Sequence, residues 1–455
     1  MDKPRYIYFV GIGGIGMSAL ARYFHNATYV VRGYDKTPSP LTNTLEKEGI
    51  GVSFVDAVSE IPDEILGNKE NALVVYTPAI PKDNKILNYF RDNSYSLKKR
   101  AEVLGIVTVQ TENLSVAGTH GKTTTSCIVA TILKYSEKQF SAFLGGISTN
   151  LGSNYFYQNG SSEHLSITEA DEFDRSFLHL KPNYAVVTST DADHLDIYGK
   201  KEELERSYRD FCDLLEEDDN LFSAYGNSIS LGGVTYSSTD KNADYHAIIK
   251  NQSGKGTHFS ISNNLGKESI NDLYLNIPGM HNLENAIGAT LMTLKAGVLL
   301  DAVRNGLANF KGIKRRFEYV IENENIIYID DYAHHPSELR AIISSVRELY
   351  PDKNITAVFQ PHLFSRTQDF LADFALELSK LDDLLLVPIY AAREQPIAGV
   401  TSESLLKKIT LSSAICLDKQ EVLDELKKRN LEVLLTLGAG DVDRLVLPIK
   451  EQYGN

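Results

Sequence analysis

Two glycine-rich segments constrain this chain more than any other feature, because each ends a short apolar run and opens a helical pattern. The first, Gly11-Ile12-Gly13-Gly14-Ile15-Gly16, follows Tyr6–Val10; the second, Gly118-Thr119-His120-Gly121-Lys122-Thr123-Thr124-Thr125, follows Leu114–Ala117. A strand that turns through glycines into a helix is half of a βαβ unit, and such units build parallel sheets. The alternation continues to the C-terminus. Strands are predicted at Tyr29–Tyr34, Ala72–Tyr76, Leu165–Thr168, Tyr184–Thr188, Ile326–Ile329, Ile355–Phe359, Leu384–Val387, Ala414–Leu417 and Val433–Leu437. Helices are predicted at Met17–His25, Ser126–Tyr135, Asn282–Ala296, Pro336–Leu349 and Thr367–Leu381. Lys98–Leu104 reads as the close of a first unit and Val107–Val109 as the start of the next, while the polar stretch 223–275 reads as short antiparallel strands. At roughly 150 residues per domain, a chain of 455 residues holds about three domains. The pattern divides it at 1–108, 109–312 and 313–455, all α/β.

Charge and cysteines narrow the setting. Lys and Arg number 46 against 60 Asp and Glu, a net −14 that argues against a surface built to bind nucleic acid. Cys127, Cys212 and Cys416 lie far apart with no C-x-x-C, which excludes a disulfide framework or a cysteine zinc site and fits a reducing cytoplasm. No apolar run reaches the ~20 residues that span a bilayer, so no membrane insertion is expected. Tyr6–Val10 is too short for a signal peptide and runs straight into a turn.

The loops carry the chemistry. Gly13, Gly14 and Gly16 let a backbone approach a diphosphate lying on the N–H groups of Ile15, Gly16, Met17 and Ser18, and Asp35, at the next strand end, would meet a ribose hydroxyl. That motif selects a diphosphate nucleotide without saying which. In the second loop Lys122 would reach terminal phosphates and Thr123 would ligate Mg²⁺. It departs from G-x-x-x-x-G-K-[ST], since Val116 stands where the first glycine belongs and the glycine falls at Gly118. Glu169-Ala-Asp171-Glu172 and Asp191-Ala-Asp193-His194-Leu-Asp196 follow strands in the same region and offer oxygen and imidazole ligands; spacing does not single out which acid ligates. In the last region Arg315-Arg316-Phe317, Asp330-Asp331-Tyr332-Ala333-His334-His335 and Gln360-Pro361-His362 with Arg366 gather at one edge, the latter two after strands. Arg316 and Arg366 are candidate anion clamps, whereas Arg315 reads equally as a surface charge. Six of the eleven histidines (120, 194, 281, 334, 335 and 362) fall in or beside these loops, which points to an enzyme.

Gly118-Thr-His-Gly-Lys-Thr-Thr-Thr125, Glu169-Ala-Asp-Glu172, Asp191-Ala-Asp-His-Leu-Asp196, Arg315-Arg-Phe317, Asp331-Tyr-Ala-His-His-Pro336 and Phe359-Gln-Pro-His362 together resemble the Mur ligases over essentially the whole chain. The last two motifs favour the member that adds alanine. The resemblance implies an N-terminal Rossmann-like domain for a UDP-sugar, a central P-loop ATPase-like domain and a C-terminal Rossmann-like doubly wound sheet that closes over both. It implies ATP, Mg²⁺ or Mn²⁺, UDP-N-acetylmuramate and L-alanine, joined through an acyl phosphate, in a monomer or weak homodimer. By position it assigns Lys122, His194, Arg316 and His334 as the catalytic set. ATP falls to Gly118, Thr119, His120, Gly121, Lys122, Thr123 and Thr124, with Asn282 and Asn285 at adenine, Arg316 at the γ-phosphate and Asp331 at the ribose. The metal falls to Thr123, Glu169 and His194, the amino acid to Tyr332, His334, His362 and Arg366, and the UDP-sugar to Gly13–Ser18 and Asp35. Two departures stand out. Leu363 replaces an arginine frequent in the family, and Ser207-Tyr208-Arg209 occupies the place where several relatives carry a carbamylated lysine, so no carbamate is expected. The competing assignment within the family is the recycling member that adds L-Ala-γ-D-Glu-meso-diaminopimelate. An NAD-dependent dehydrogenase would leave Gly118–Thr125 idle, and a nucleotide-sensing regulator would need neither His334 nor Arg366.

Overall fold

The computed structural model describes residues 5–160, 164–191, 198, 200–253, 255–392 and 394–454. Contacts divide the chain into two compact units, Met1–Lys311 and Gly312–Asn455. The first unit holds two sheets. In one, β1 (Tyr6–Val10), β2 (Val30–Tyr34), β3 (Gly51–Ser53), β4 (Ala72–Tyr76) and β5 (Ser96–Lys99) run parallel in the order 3-2-1-4-5. The central strand β1 is apolar on both faces because helices cover both. Ile7 and Phe9 enter one core with Leu20 and Phe24 of the helix Ile15–Asn26; Tyr8 and Val10 enter another with Ile65 and Phe90. The order reverses beside β1, where open α/β sheets leave a crevice, and the first glycine loop lies there.

The second sheet has ten strands: β6 (Glu112–Ala117), β7 (Gln139–Phe143), β8 (Tyr155–Gln158), β9 (His164–Ala170), β10 (Tyr184–Val187), β11 (Leu221–Ala224), β12 (Val234–Ser237), β13 (Tyr245–Ser253), β14 (Gly256–Asn263) and β15 (Ile270–Leu275). Their order is 15-14-13-12-11-10-6-9-7-8, parallel from β13 to β7, with antiparallel pairings at both ends. The two sheets share a core: Tyr23 packs on Phe143 and Tyr155 at ring-centre distances of 5.6 and 6.1 Å. Asn154 donates to Ile15 O (2.5 Å) and Ser18 Oγ (2.9 Å), fixing the glycine-loop helix onto the ten-stranded sheet.

The second unit is a six-stranded sheet: β16 (Glu318–Glu322), β17 (Ile327–Asp331), β18 (Ile355–Phe359), β19 (Asp383–Leu386), β20 (Ile415–Cys416) and β21 (Val433–Leu437), ordered 16-17-21-18-19-20. Only β16 is antiparallel. Ile329, Ala357 and Leu435 face one core, and Tyr328, Val358 and Leu434 the other. No helix among the described residues is long and apolar enough to cross a membrane.

Four expectations are corrected. Val107–Val109, read as the start of the next unit, instead ends the helix Arg100–Thr108, whose buried Ala101, Leu104 and Thr108 continue one helical face. The helix expected from Ser126 begins at Lys122, because Gly121, at φ +83°, turns the chain directly into it. Among the described residues of 223–275 only β13–β15 pair antiparallel. The loops before β12 and β13 return the chain parallel, and Asp244 braces them by accepting from Thr235 N (2.8 Å). The helix expected over Thr367–Leu381 is split into Phe364–Asp369 and Leu371–Leu378 at Phe370, which leaves helical geometry.

Candidate active site

In the first unit the phosphate-type loop joins β6 to the helix Lys122–Lys134. Gly118 lies at φ +133°, and a Cβ there would stand 2.2 Å from Thr188 Oγ1, so both conformation and space require glycine. Neighbouring strand ends hold the loop: His120 N donates to Ser189 Oγ (2.8 Å), and Asp191 N donates to Thr119 Oγ1 (3.2 Å). Lys122 Nζ donates to Gly118 O (2.5 Å) and to both Glu172 oxygens (3.0 and 2.8 Å). Glu172 is fully buried; burial pushes its carboxyl up, and Lys122 opposes that shift.

Glu169 is fixed from three sides. Thr123 Oγ1 donates to it at 3.0 Å, Ser126 Oγ at 2.9 Å and Gly145 N at 2.6 Å. A carboxylate beside a hydroxyl, adjoining a phosphate-type lysine, is a hard-oxygen donor set that suits Mg²⁺, which keeps most of its waters. His194, the other expected metal ligand, lies outside the described residues, as do Asp193 and Asp196. Asn285 is buried against Gly121, where a Cβ would meet its Oδ1 at 2.5 Å, and Asn282 donates to Pro278 O (2.6 Å) at the start of the helix Met280–Lys295. Thr124 is half-buried in that loop's first helical turn.

At the first glycine loop, Gly14 caps the helix Ile15–Asn26 without a side-chain bond, and no acid sits in the first turn. Ile15 is exposed, while Met17 and Ser18 turn inward. Asp35, expected at a ribose, accepts from Gly13 N (2.8 Å) and so braces the loop itself. Gly16 is overlain by Arg100, whose Nη1 would stand 2.8 Å from a Cβ there and whose Nη2 reaches Asp171 at 3.4 Å.

In the second unit the carboxyl ends of β17, β18 and β21 bring their loops together. Asp331 accepts from Phe317 N (2.6 Å) and Ala333 N (2.8 Å), and its enclosure pushes the carboxyl up to about 6. His334 Nδ1 lies 2.9 Å from Tyr332 O, which can only accept, so Nδ1 carries the proton and Nε2 is the basic nitrogen. Burial lowers the His334 pKa, against the pull of Glu338. Glu338 accepts from His334 N (2.9 Å) and His335 N (3.0 Å) in a capping box at the head of the helix Pro336–Leu349. Rings chain the group together: Tyr332 to His334 at 5.2 Å, His334 to His362 at 5.6 Å and His362 to Tyr390 at 5.7 Å. Arg366 Nη1 is buried with no hydrogen-bond partner among the described residues. Arg316 is exposed and has no ion pair among them.

Three family models match successive stretches: "Mur ligase family, catalytic domain" at 6–110, "Mur ligase middle domain" at 116–293 and "Mur ligase, glutamate ligase domain" at 315–440. The chain belongs to the Mur ligase family. Among Mur ligases it is 47% identical over 452 residues to a UDP-N-acetylmuramate–L-alanine ligase of Flavobacterium psychrophilum, covering 99% of each chain. It is 48% identical over 455 residues to one from Porphyromonas gingivalis, covering 98% of each. The crystal structure of UDP-N-acetylmuramate-alanine ligase from Thermotoga maritima superposes with a TM-score of 0.81 at 27% identity over 99% of each chain. A murein peptide ligase from Psychrobacter arcticus, at 20% identity and a TM-score of 0.71 over 98% of each chain, shares the fold.

Against this Mur ligase background the structure brings together, within the first unit, Gly118–Thr124, Glu169 and Asn285, and within the second, Asp331, Tyr332, His334, His362 and Arg366. Sequence reasoning missed the partners of these residues. Glu172 was visible only as one acid of a cluster; its pairing with Lys122 spans 50 residues. Glu338 had a signal, since Pro336 followed by an acid three residues past His335 is a helix start. Ser126 and Gly145 had none.

Proposed function

We propose that this enzyme joins the amine of L-alanine to the lactyl carboxylate of UDP-N-acetylmuramate, with ATP converted to ADP and phosphate. What supports the reading most is the 47% identity along the whole chain to a ligase of that name, together with an intact Gly118–Thr125 loop. The product is a peptidoglycan precursor, so we place the enzyme in the cytoplasm, in cell-wall synthesis and hence in cell shape and division. In this reading 1–108 takes the UDP-sugar on Gly13–Ser18, 109–312 takes ATP, and 313–455 completes the ligase.

The sugar's carboxylate attacks the γ-phosphate, a meeting of anions whose repulsion must be offset. Lys122 already stands at the loop, held by Gly118 O and both Glu172 oxygens, and incoming phosphate would draw its ammonium from one of these partners. Arg316, carrying no competing ion pair among the described residues, takes the γ-phosphate charge. Thr123 and Glu169 would hold Mg²⁺, with His194 at a second ion, and the metal supplies further charge neutralisation when bound. Asn282 and Asn285 would take adenine and Asp331 the ribose. The acyl phosphate must then be attacked by a neutral amine. His334, neutral with Nε2 basic, takes the ammonium proton, and the buried Arg366 Nη1 pairs with the alanine carboxylate beside Tyr332 and His362. Transfer of labelled L-alanine into a UDP-sugar product, dependent on ATP and Mg²⁺, tests the proposal.

A further inference from the structure

The two arginines of Arg315-Arg316-Phe317 have opposite surroundings. Arg316 is exposed, whereas the Arg315 side chain retains only 19% of its exposure. Its guanidinium donates from Nε to Asp330 Oδ2 (3.2 Å), from Nη2 to Gly438 O (2.5 Å) and from Nη1 to Gly440 O (3.5 Å). It also lies 5.2 Å from the centre of the Tyr332 ring. One side chain therefore ties together the ends of β17 and β21 and the ring of Tyr332.

The backbone around Arg316 is pinned as tightly. Arg315 N donates to Glu318 Oε2 (2.8 Å), Tyr332 N donates to Arg315 O (2.7 Å), and Arg316 N donates to Ile313 O (3.2 Å). Phe317 N donates to Asp331 Oδ2 (2.6 Å). Arg315 and Phe317 stand at φ +61° and +48°, a left-handed conformation that residues with a Cβ adopt only when their surroundings impose it. Glycine would relieve that strain at 315 but would lose the guanidinium. Lysine would keep the charge but not the planar fork that spans Asp330 and two carbonyls.

We propose that Arg315 is a positioning residue, which fixes the backbone at 315–317 so that Arg316 is presented to the transferred phosphoryl group. The inference rests on the role given to Arg316 above. A misplacement of about 1 Å in a group that stabilises a transition state can cost about 100-fold in rate, while a residue acting only through another loses its effect once that other is removed.

The test is a double-mutant cycle on the full-length enzyme with ATP, UDP-N-acetylmuramate and L-alanine, using Arg315→Lys, Arg316→Ala and the pair. Arg315→Lys is expected to lower kcat about 100-fold while KM for UDP-N-acetylmuramate stays within about twofold, and to add less than about twofold in the Arg316→Ala background. Full additivity, or a wild-type kcat in Arg315→Lys, would overturn the proposal. Asp330→Ala, which removes the carboxylate that accepts from Arg315 Nε, should reproduce the coupled loss and serves if Arg315→Lys does not fold. An unaltered kcat in Arg316→Ala overturns the role of Arg316 and this inference with it. A wild-type enzyme inactive with these three substrates would instead overturn the assigned reaction, so the failures are distinguishable.

Discussion

Lys122 and Glu172 show how one residue can serve folding and chemistry at once. The lysine satisfies a fully buried carboxylate, and the same ammonium is the cation assigned to the nucleotide's phosphates in the proposed reaction. Lys122→Ala should lower kcat about 10³-fold and also destabilise the fold by about 3 kcal/mol, because it strands a buried charge. Burial holds the Glu172 pKa above its ordinary value, so its protonated form suits the fold. The destabilisation of Lys122→Ala should therefore be least below pH ~4.3, the unfolded glutamate value, and grow as pH rises. Lys122→Ala with Glu172→Gln should regain most of the stability and none of the activity; urea titrations across pH check both. Asp331 gives a second pH signature. With its carboxyl pushed up from 3.8 to about 6, its contribution to stability is complete below 3.8 and is lost as pH rises through 6. If Asp331 takes the ribose as proposed, its ionised form is the better acceptor for the hydroxyl, so kcat/KM for ATP should fall as pH drops through about 6. Asp331→Asn should flatten that limb and lower kcat/KM at neutral pH about tenfold, as read from pH–rate profiles.

At the scale of elements, two left-handed glycines separate geometry from space. Gly118→Ala forces a Cβ to within 2.2 Å of Thr188 Oγ1, whereas Gly152, at φ +68°, has nothing within 4 Å. Gly152→Ala should cost only strain of about 1 kcal/mol and leave kinetics intact. Gly118→Ala should raise KM for ATP and lower kcat about 100-fold, as steady-state assays will show. What was legible in the chain follows the same physics. β1, β4, β18, β21 and the helix Pro336–Leu349 stand where their apolar patterns put them, since each is bounded by turn or capping residues. The first turn of Lys122–Lys134 was not legible, because Lys122 and the following threonines carry no apolar period before Cys127. Nor was β16, an edge strand only partly buried, whose identity rests on pairing with β17. The candidate site was legible as residue types at strand ends. Its inner supports were not, since Arg315 reads as one of two like charges until tertiary bonds turn it inward.

At the scale of the molecule, a boundary at 108/109 separates two sheets that share one core, for residues of both pack in one cluster with Leu20, Phe143 and Phe177, while Tyr8, Ile65 and Phe90 form a core on the other face of the first sheet. The loop assigned to the UDP-sugar and the loop assigned to ATP are thus fixed to one body, through Asn154 on one side and Arg100–Asp171 on the other. The residues assigned to the amino acid belong to the unit Gly312–Asn455, which has cores of its own. The choice of amine is the central claim, and one measurement addresses it directly: ADP release with ATP, Mg²⁺ and UDP-N-acetylmuramate, with free L-alanine in one arm and L-Ala-γ-D-Glu-meso-diaminopimelate in the other. ADP release that depends on free L-alanine and is absent with the tripeptide is the predicted result; release with the tripeptide alone, or with neither, would contradict it.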